Sequence, residues 1–252
     1  MPRYWSTLLA LLLVLPTLAC STLLPPRPEV SWDTQADAMI IQGTYCCGLV
    51  PEMVALNYIP DVTVWGDGRV VWTAYDAEQR LVLEGRLTRE ALRALLQGAV
   101  DDGFFGWKNS YADYSVTDLA SQCLTIRLTS EAKTVCEYYQ GAPRAFHQLY
   151  AQLAGGAGAV GAEYQPTRGY LTARRLDNFN PAQTPVTAQW PAEAGLSLAD
   201  VQGGRWVDDA ALAAAWQVVN QDRWGALVQD GDVYYALIVQ VPGLHQNTPT
   251  DR

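Results

Sequence analysis

Histidine is almost missing from this chain: His147 and His245 are the two among 252 residues. Nucleophilic catalysis by serine or cysteine needs a base, normally histidine, within reach of the nucleophile. Neither histidine accompanies a G-x-S-x-G elbow. Both read as surface residues, His147 on the flank of a helix and His245 in a polar tail. Metal binding is as poorly supplied, with no C-x-x-C pair and only those two imidazoles, so no metal and no cofactor are expected. Bases are scarce as well, 17 Lys and Arg against 26 Asp and Glu, for a net charge of −9. Such a surface excludes nucleic acid as a natural partner, because phosphate backbones ask for positive charge. The one apolar run near the start, Leu8–Leu15, falls short of the ~20 residues that span a bilayer.

That run has a different use. Arg3 precedes it and Thr17-Leu18-Ala19-Cys20 follows, the layout of a signal peptide over residues 1–19. Ala19-Cys20 resembles the bacterial lipobox, whose cysteine is acylated on its thiol and becomes the new N-terminus. The resemblance implies a lipid anchor on Cys20 and an extracytoplasmic location at the cell membrane. Thr17 departs from the pattern, in which leucine is commonest there. Thr17-Leu18-Ala19 also suits ordinary cleavage, so plain secretion is the alternative. Processing removes one base and no acid, leaving the mature chain one unit more acidic.

Cys20 aside, four cysteines remain: Cys46, Cys47, Cys123 and Cys136. An even count in an exported chain points to disulfides. Adjacent Cys46 and Cys47 are poorly placed to bridge each other. The expected pairing sends them to Cys123 and Cys136, in either order. A direct Cys123–Cys136 bridge requires a hairpin register that sets the two opposite.

The rest divides by composition. Residues 20–37, rich in proline and polar residues, read as a tether. Residues 38–154 carry alternating apolar strands and two amphipathic helices. The first helix starts at Thr88, a hydroxyl cap ahead of Leu92, Leu95, Leu96 and Ala99 at three- and four-residue steps, and stops at Gly103. The second, Pro143–Leu153, buries Phe146, Leu149, Tyr150 and Leu153. Phe104, Phe105 and Trp107, which follow the first helix, read as core plugs under the sheet. Gly155–Gly161 opens a glycine-rich linker, 155–169. A smaller unit follows over 170–242, with a capped alanine-rich helix and a hairpin about Asp230-Gly231-Asp232, before a polar tail, 243–252. The expected class is α+β: two small units of antiparallel hairpins with helices packed on one face.

The organising stretch is Pro60–Trp72, PDVTVWGDGRVVW. Asp67-Gly68 between β-rich runs is a strong hairpin signal, because both residues tolerate positive φ. With the Thr88 helix, Tyr111 and Thr117-Asp118 before a strand, and the Pro143 helix, this P-x-V-T-V-x-G-D-G-x-V pattern resembles uncharacterised secreted bacterial domains, often lipoproteins. The likeness extends to Trp190-Pro191 and the later Trp-containing hairpin. Val239–Leu244 lacks the arginine-proline-leucine ending of some relatives. The resemblance implies a location and a fold but no activity.

Two sets of side chains are candidates for chemistry. Nine Trp and thirteen Tyr against four Phe supply amphipathic rings suited to sugar stacking or protein contact. Trp65, Trp72, Tyr111 and Tyr114, with Tyr138 and Tyr139, form a candidate strip, core filling being the competing use. Asp113 and Asp118 are candidate glycan-handling carboxylates, their competing use being turn formation. No catalytic residue is assigned. The expectation is a membrane-anchored, non-catalytic binding or scaffold module whose partner is an envelope protein or glycan; the alternative is an envelope hydrolase acting on cell-wall glycan.

Overall fold

The computed structural model describes residues 29–46, 48–222, 224–245 and 248–249. The signal peptide, Cys20, the start of the tether and Cys47 lie outside them. In chain order the elements are β1 (Met39–Cys46), α1 (Glu52–Leu56), β2 (Val62–Trp65), β3 (Arg69–Asp76), β4 (Gln79–Arg86), α2 (Arg89–Asp101), β5 (Ser110–Ala112), β6 (Ser121–Arg127), β7 (Ala132–Tyr138), α3 (Arg144–Ala154), β8 (Ala162–Glu163), β9 (Gly169–Arg175), β10 (Ala188–Gln189), β11 (Arg205–Val207), α4 (Asp209–Gln221), β12 (Ala226–Asp230) and β13 (Val233–Gln240). The class is α+β. Eight strands form one sheet in the order β5-β7-β6-β1-β2-β3-β4-β8, and five form a second, β10-β12-β13-β9-β11.

The β2–β3 hairpin sits near the middle of the first sheet, and its strands are buried on both faces. Val62 pairs with Trp72 and Val64 with Val70. Alternation therefore puts these four on one face and Trp65 and Val71 on the other. α3 packs against β1 and β3, while α4 touches β4 of this sheet together with β9, β12 and β13 of the second. Trp65, Val71 and Val82 accordingly share one apolar core with Leu171, Leu212, Trp216 and Leu237. Helix α4 meets apolar surface on two sides, which explains its run of small and apolar residues, with Leu212, Ala215, Trp216, Val218 and Val219 all buried.

The turn between β2 and β3 differs from the expected one. Of Gly66, Asp67 and Gly68, Gly68 alone has positive φ, +87°, and its N–H donates to the Trp65 carbonyl at 3.0 Å. This is a three-residue loop ending in a left-handed glycine, in place of two positive-φ residues. The reason is local: Asp67 Oδ1 accepts from the Arg69 N–H at 3.0 Å, and its Oδ2 pairs with Arg86.

Helix ends agree with their sequence signals at α2. Thr88 Oγ1 accepts from the Ala91 N–H at 3.1 Å, and Gly103 takes the left-handed conformation just past the C-cap. The cap ahead of α4 differs, since Asp208 makes no side-chain capping bond there. Tyr111 lies in a short strand, β5, parallel to β7; three residues were too few for alternation to reveal it.

The cysteine pairing is corrected. Cys123 stands opposite Cys136 across β6 and β7, and the two are bridged. The Cys136 N–H donates outward to Asn109, so this is a non-hydrogen-bonded cross-strand pair, whose Cα atoms approach closely, here to 4.1 Å. Cys46 is also disulfide-bonded, and neither Cys123 nor Cys136 is its partner.

Two stretches expected to be loose are packed. From Ser31 the chain belongs to the main compact unit, and Trp32 is buried with its indole N–H donating to the Gly66 carbonyl at 3.0 Å. Within 155–169, β8 pairs with β4. The glycines there serve close approach: a Cβ on Gly161 would lie 2.4 Å from the Trp72 ring, and one on Gly156 2.7 Å from it. Trp72 is covered by bare backbone.

This packing sets opposite expectations for two glycines. Gly161→Ala should destabilise the fold by about 1–3 kcal/mol through overpacking on Trp72. Gly98→Ala, inside α2 with nothing within 4 Å of the added Cβ, should stabilise it by about 0.5–1 kcal/mol. Urea denaturation of the two variants checks both signs.

Candidate functional site

Arg80 is the second residue of β4 and is in phase with Val82, which puts a guanidinium on the core-facing side of the sheet. It is 7% exposed. Its Nε donates to Asn220 Oδ1 at 2.7 Å, one terminal nitrogen donates to the Asn57 carbonyl at 2.7 Å, and the other reaches the Val219 carbonyl at 3.5 Å. Among the described residues no carboxylate lies within ion-pair distance of it. Burial pulls its pKa down to about 10, opposed by the neighbouring Tyr75 and Tyr58 hydroxyls, so it stays charged at neutral pH.

Its two asparagine partners are held by further bonds of their own. Asn57, at the C-terminal end of α1, donates from Nδ2 to the Leu237 carbonyl at 2.8 Å and accepts the Val239 N–H at 2.9 Å. β12 begins opposite Leu237, and the Asn57 amide takes up the edge of β13 beyond that point. Asn220 donates back to the Trp216 carbonyl one turn earlier in α4, at 2.9 Å. Arg80 thus ties the first sheet to α4 and, through Asn57, to β13.

Above this network lies a cavity of about 270 Å³, lined among others by Tyr45, Tyr58, Tyr75, Arg80 and Trp224. Tyr45, Tyr75 and Trp224 are 54%, 49% and 59% exposed, so they form a wet aromatic rim over a charged base. Two fixings hold that rim. Tyr75 stands directly opposite Arg80 in the β3–β4 ladder, and the Trp224 indole N–H donates to Glu78 at the tip of that hairpin at 3.0 Å. Tyr58 Oη accepts the Tyr45 N–H at 2.7 Å and lies 3.5 Å from Asp61. Asp61 also accepts from Tyr150 Oη at 2.7 Å. Burial raises the Asp61 pKa against the two hydroxyl contacts. Outside the cavity, Glu52 on α1 pairs with Arg174 through two contacts of 2.5 and 2.9 Å, and that pairing holds its carboxyl below the usual range.

The sequence candidates are dispersed. Trp65 and Trp72 are buried in the core on opposite faces of the hairpin, and Arg69 stacks on the Trp65 ring at 4.3 Å. Tyr114 is exposed beside Tyr138 at 5.7 Å between ring centres. Tyr111 accepts the Lys108 N–H through its hydroxyl. Tyr139 has a positive φ at the end of β7. These rings do not make one strip. Asp113 caps its own turn, accepting the Ser115 N–H at 2.9 Å and Gln140 at 2.8 Å. The Ser115 and Gln140 bonds hold its carboxyl below the usual range; such a group is a poor proton donor near neutral pH. Asp118 sits at positive φ, exposed, 3.3 Å from the Thr117 hydroxyl. Among the described residues no three His, Cys, Asp or Glu side chains gather as metal ligands.

His245 is a correction. The reading as a surface residue fails because Val241–His245 folds back as a turn: Leu244 and His245 are both buried, and His245 Nδ1 accepts the Val241 N–H at 2.9 Å. Its Nε2 is buried and has no hydrogen-bond partner among the described residues. Burial, with the Arg80 charge nearby, lowers its pKa to about 3. His147 is half exposed, 3.5 Å from Glu137.

Sequence reasoning passed over Arg80, Asn57, Tyr58, Tyr75 and Trp224. One signal was available: an arginine in phase with Val82 on a core-facing strand. The amides and Trp224 carry no comparable mark, since their partners lie far along the chain.

A family model described as a domain of unknown function (DUF6438) matches residues 37–155, β1 through the end of α3 and a little under half of the chain. No curated protein and no solved structure matches the chain. Arg80 and nearly all of the cavity wall fall inside the matched domain; Trp224 is supplied from outside it.

Protonation should expose the His245 contact. The folded pKa lies below the ordinary 6.5, so the unfolded chain binds a proton there first, and stability present above pH 6.5 is lost as pH falls toward 3. Between pH 6.5 and 5 the loss should be about 2 kcal/mol, at about 1.4 kcal/mol per pH unit. Asp61 contributes with the opposite sign, because its raised pKa favours the folded state on acidification. Thermal melts of wild type against His245→Asn across this range isolate the histidine: the variant should show a flatter acid limb.

Proposed function

We propose that this protein is a lipid-anchored, extracytoplasmic binding module that performs no reaction itself. The Cys20 anchor follows from the signal-peptide layout, and a cross-strand disulfide fits an oxidising compartment. The binding role rests on one observation: an open cavity rimmed by Tyr45, Tyr75 and Trp224, in which Arg80 is the one charged residue among the described lining residues. Aromatic walls around a single convergent charge suit recognition. Glycan hydrolysis asks for two carboxyl groups flanking the bond, and no carboxyl is among the described residues that line this cavity. The P-x-V-T-V-x-G-D-G-x-V hairpin supports the site from behind, since β3 carries Tyr75 at its far end.

Two measurements test this. Mass spectrometry of the mature N-terminus from the native envelope should find Cys20 acylated; an unmodified residue 20 or 21 overturns the anchor. Glycan-array binding and envelope-fraction capture should be run on wild type and on a Tyr75→Ala/Trp224→Ala double variant. Wild type should retain a ligand that the variant loses, and equal retention by both overturns the cavity as the binding site.

A further inference from the structure

Resting on that reading of the cavity, we propose that its ligand is a small carboxylate, with the acid group on Arg80 and a flat ring or sugar face against Tyr45, Tyr75 and Trp224. A guanidinium has five N–H donors. Three of those on Arg80 have acceptors among the described residues, and the bond to Val219 is long at 3.5 Å. Two N–H groups and a full positive charge are left over, in a side chain that is 7% exposed and lines the cavity. A buried cation is costly without a counter-charge, yet every acceptor here is a neutral carbonyl or amide. The supply matches one carboxylate, which a guanidinium engages through paired N–H···O bonds.

The surroundings sharpen the choice. His245, nearby, is held neutral and adds no second positive charge. Among the described lining residues Arg80 is therefore the single cation, enough for a monoanion and short of what a phosphate dianion asks. The rim argues for a ring: three half-exposed aromatic side chains offer stacking surface. The cavity, about 270 Å³, lies at the lower end of small-molecule sites. A single ring that bears one acid group fits it, whether free or at the end of a glycan chain.

The test is calorimetry and tryptophan fluorescence on the mature full-length chain. The probes are 4-hydroxyphenylacetate and glucuronate, with 4-hydroxyphenylethanol and glucose as neutral counterparts and inorganic phosphate as the competing anion. At least one carboxylate should bind saturably, about tenfold or more tighter than its neutral counterpart, and the two arms tell an aromatic acid from a sugar acid. Trp224→Ala and Tyr75→Ala should each weaken that binding about tenfold with little change in melting temperature. These exposed rim positions keep the test valid even where Arg80→Gln does not fold. Equal binding of the neutral counterparts overturns the carboxylate while leaving a ring-binding module standing. Phosphate binding as tightly as the carboxylates overturns it too. So does the absence of saturable binding by either carboxylate up to about 10 mM. The module itself fails by the separate glycan-array and envelope-capture comparison.

Discussion

A positive charge buried with no acid to neutralise it among the described residues is the constraint around which this molecule is arranged. Arg80 is stabilised by polar groups alone: the Asn220 amide and the carbonyls of Asn57 and Val219. Those groups belong to α1, α4 and, through the Asn57 side chain, the edge of β13. Each has its own bond to keep, so a shift of any one element would leave a buried donor or acceptor unpaired, at about 1–3 kcal/mol apiece. The network sets the register between the first sheet, the interleaved helix and the second sheet more sharply than apolar contact does, because apolar contact tolerates sliding.

The apolar contact is nonetheless extensive. Trp65, Val71 and Val82 from the first sheet join Leu171, Leu212, Trp216 and Leu237 in one cluster. On the opposite face Trp72 lies under bare glycine backbone at Gly156 and Gly161. The central hairpin is therefore enclosed from both sides, and its large rings serve as filling. The exposed aromatics of the cavity rim lie at the ends of elements. Tyr75 closes β3, Tyr45 lies at the end of β1, and Trp224 precedes β12. The cavity is an outcome of how the strands end, and Arg80 sits where strand ladder and cavity floor coincide.

That arrangement explains why the rings and carboxylates singled out from the sequence do not come together. Trp65 and Trp72 stand in the most conspicuous motif of the chain, but a motif that forms a central hairpin buries its side chains. Asp113 and Asp118 cluster in sequence for the ordinary reason that aspartate stabilises turns. His245 read as solvent-facing because its neighbours are polar, whereas Leu244 beside it anchors the turn inward. The glycines of 155–161 read as a break, although two of them permit contact with an indole. In each case composition was informative about the backbone and silent about what the backbone packs against.

Patterns within a few residues were enough to determine the α+β class, the β2–β3 hairpin, the Thr88 cap and the buried faces of α2 and α3. Caps, turns and amphipathic periods depend on neighbours inside one or two turns of chain, and those neighbours can be read directly. Tertiary structure alone decided that Cys123 faces Cys136, that His245 is enclosed and that Arg80 meets Asn220 across 140 positions and Asn57 meets Leu237 across 180. Contacts of that separation arise when two sheets close over one helix, and no local period encodes which buried donor will find which acceptor.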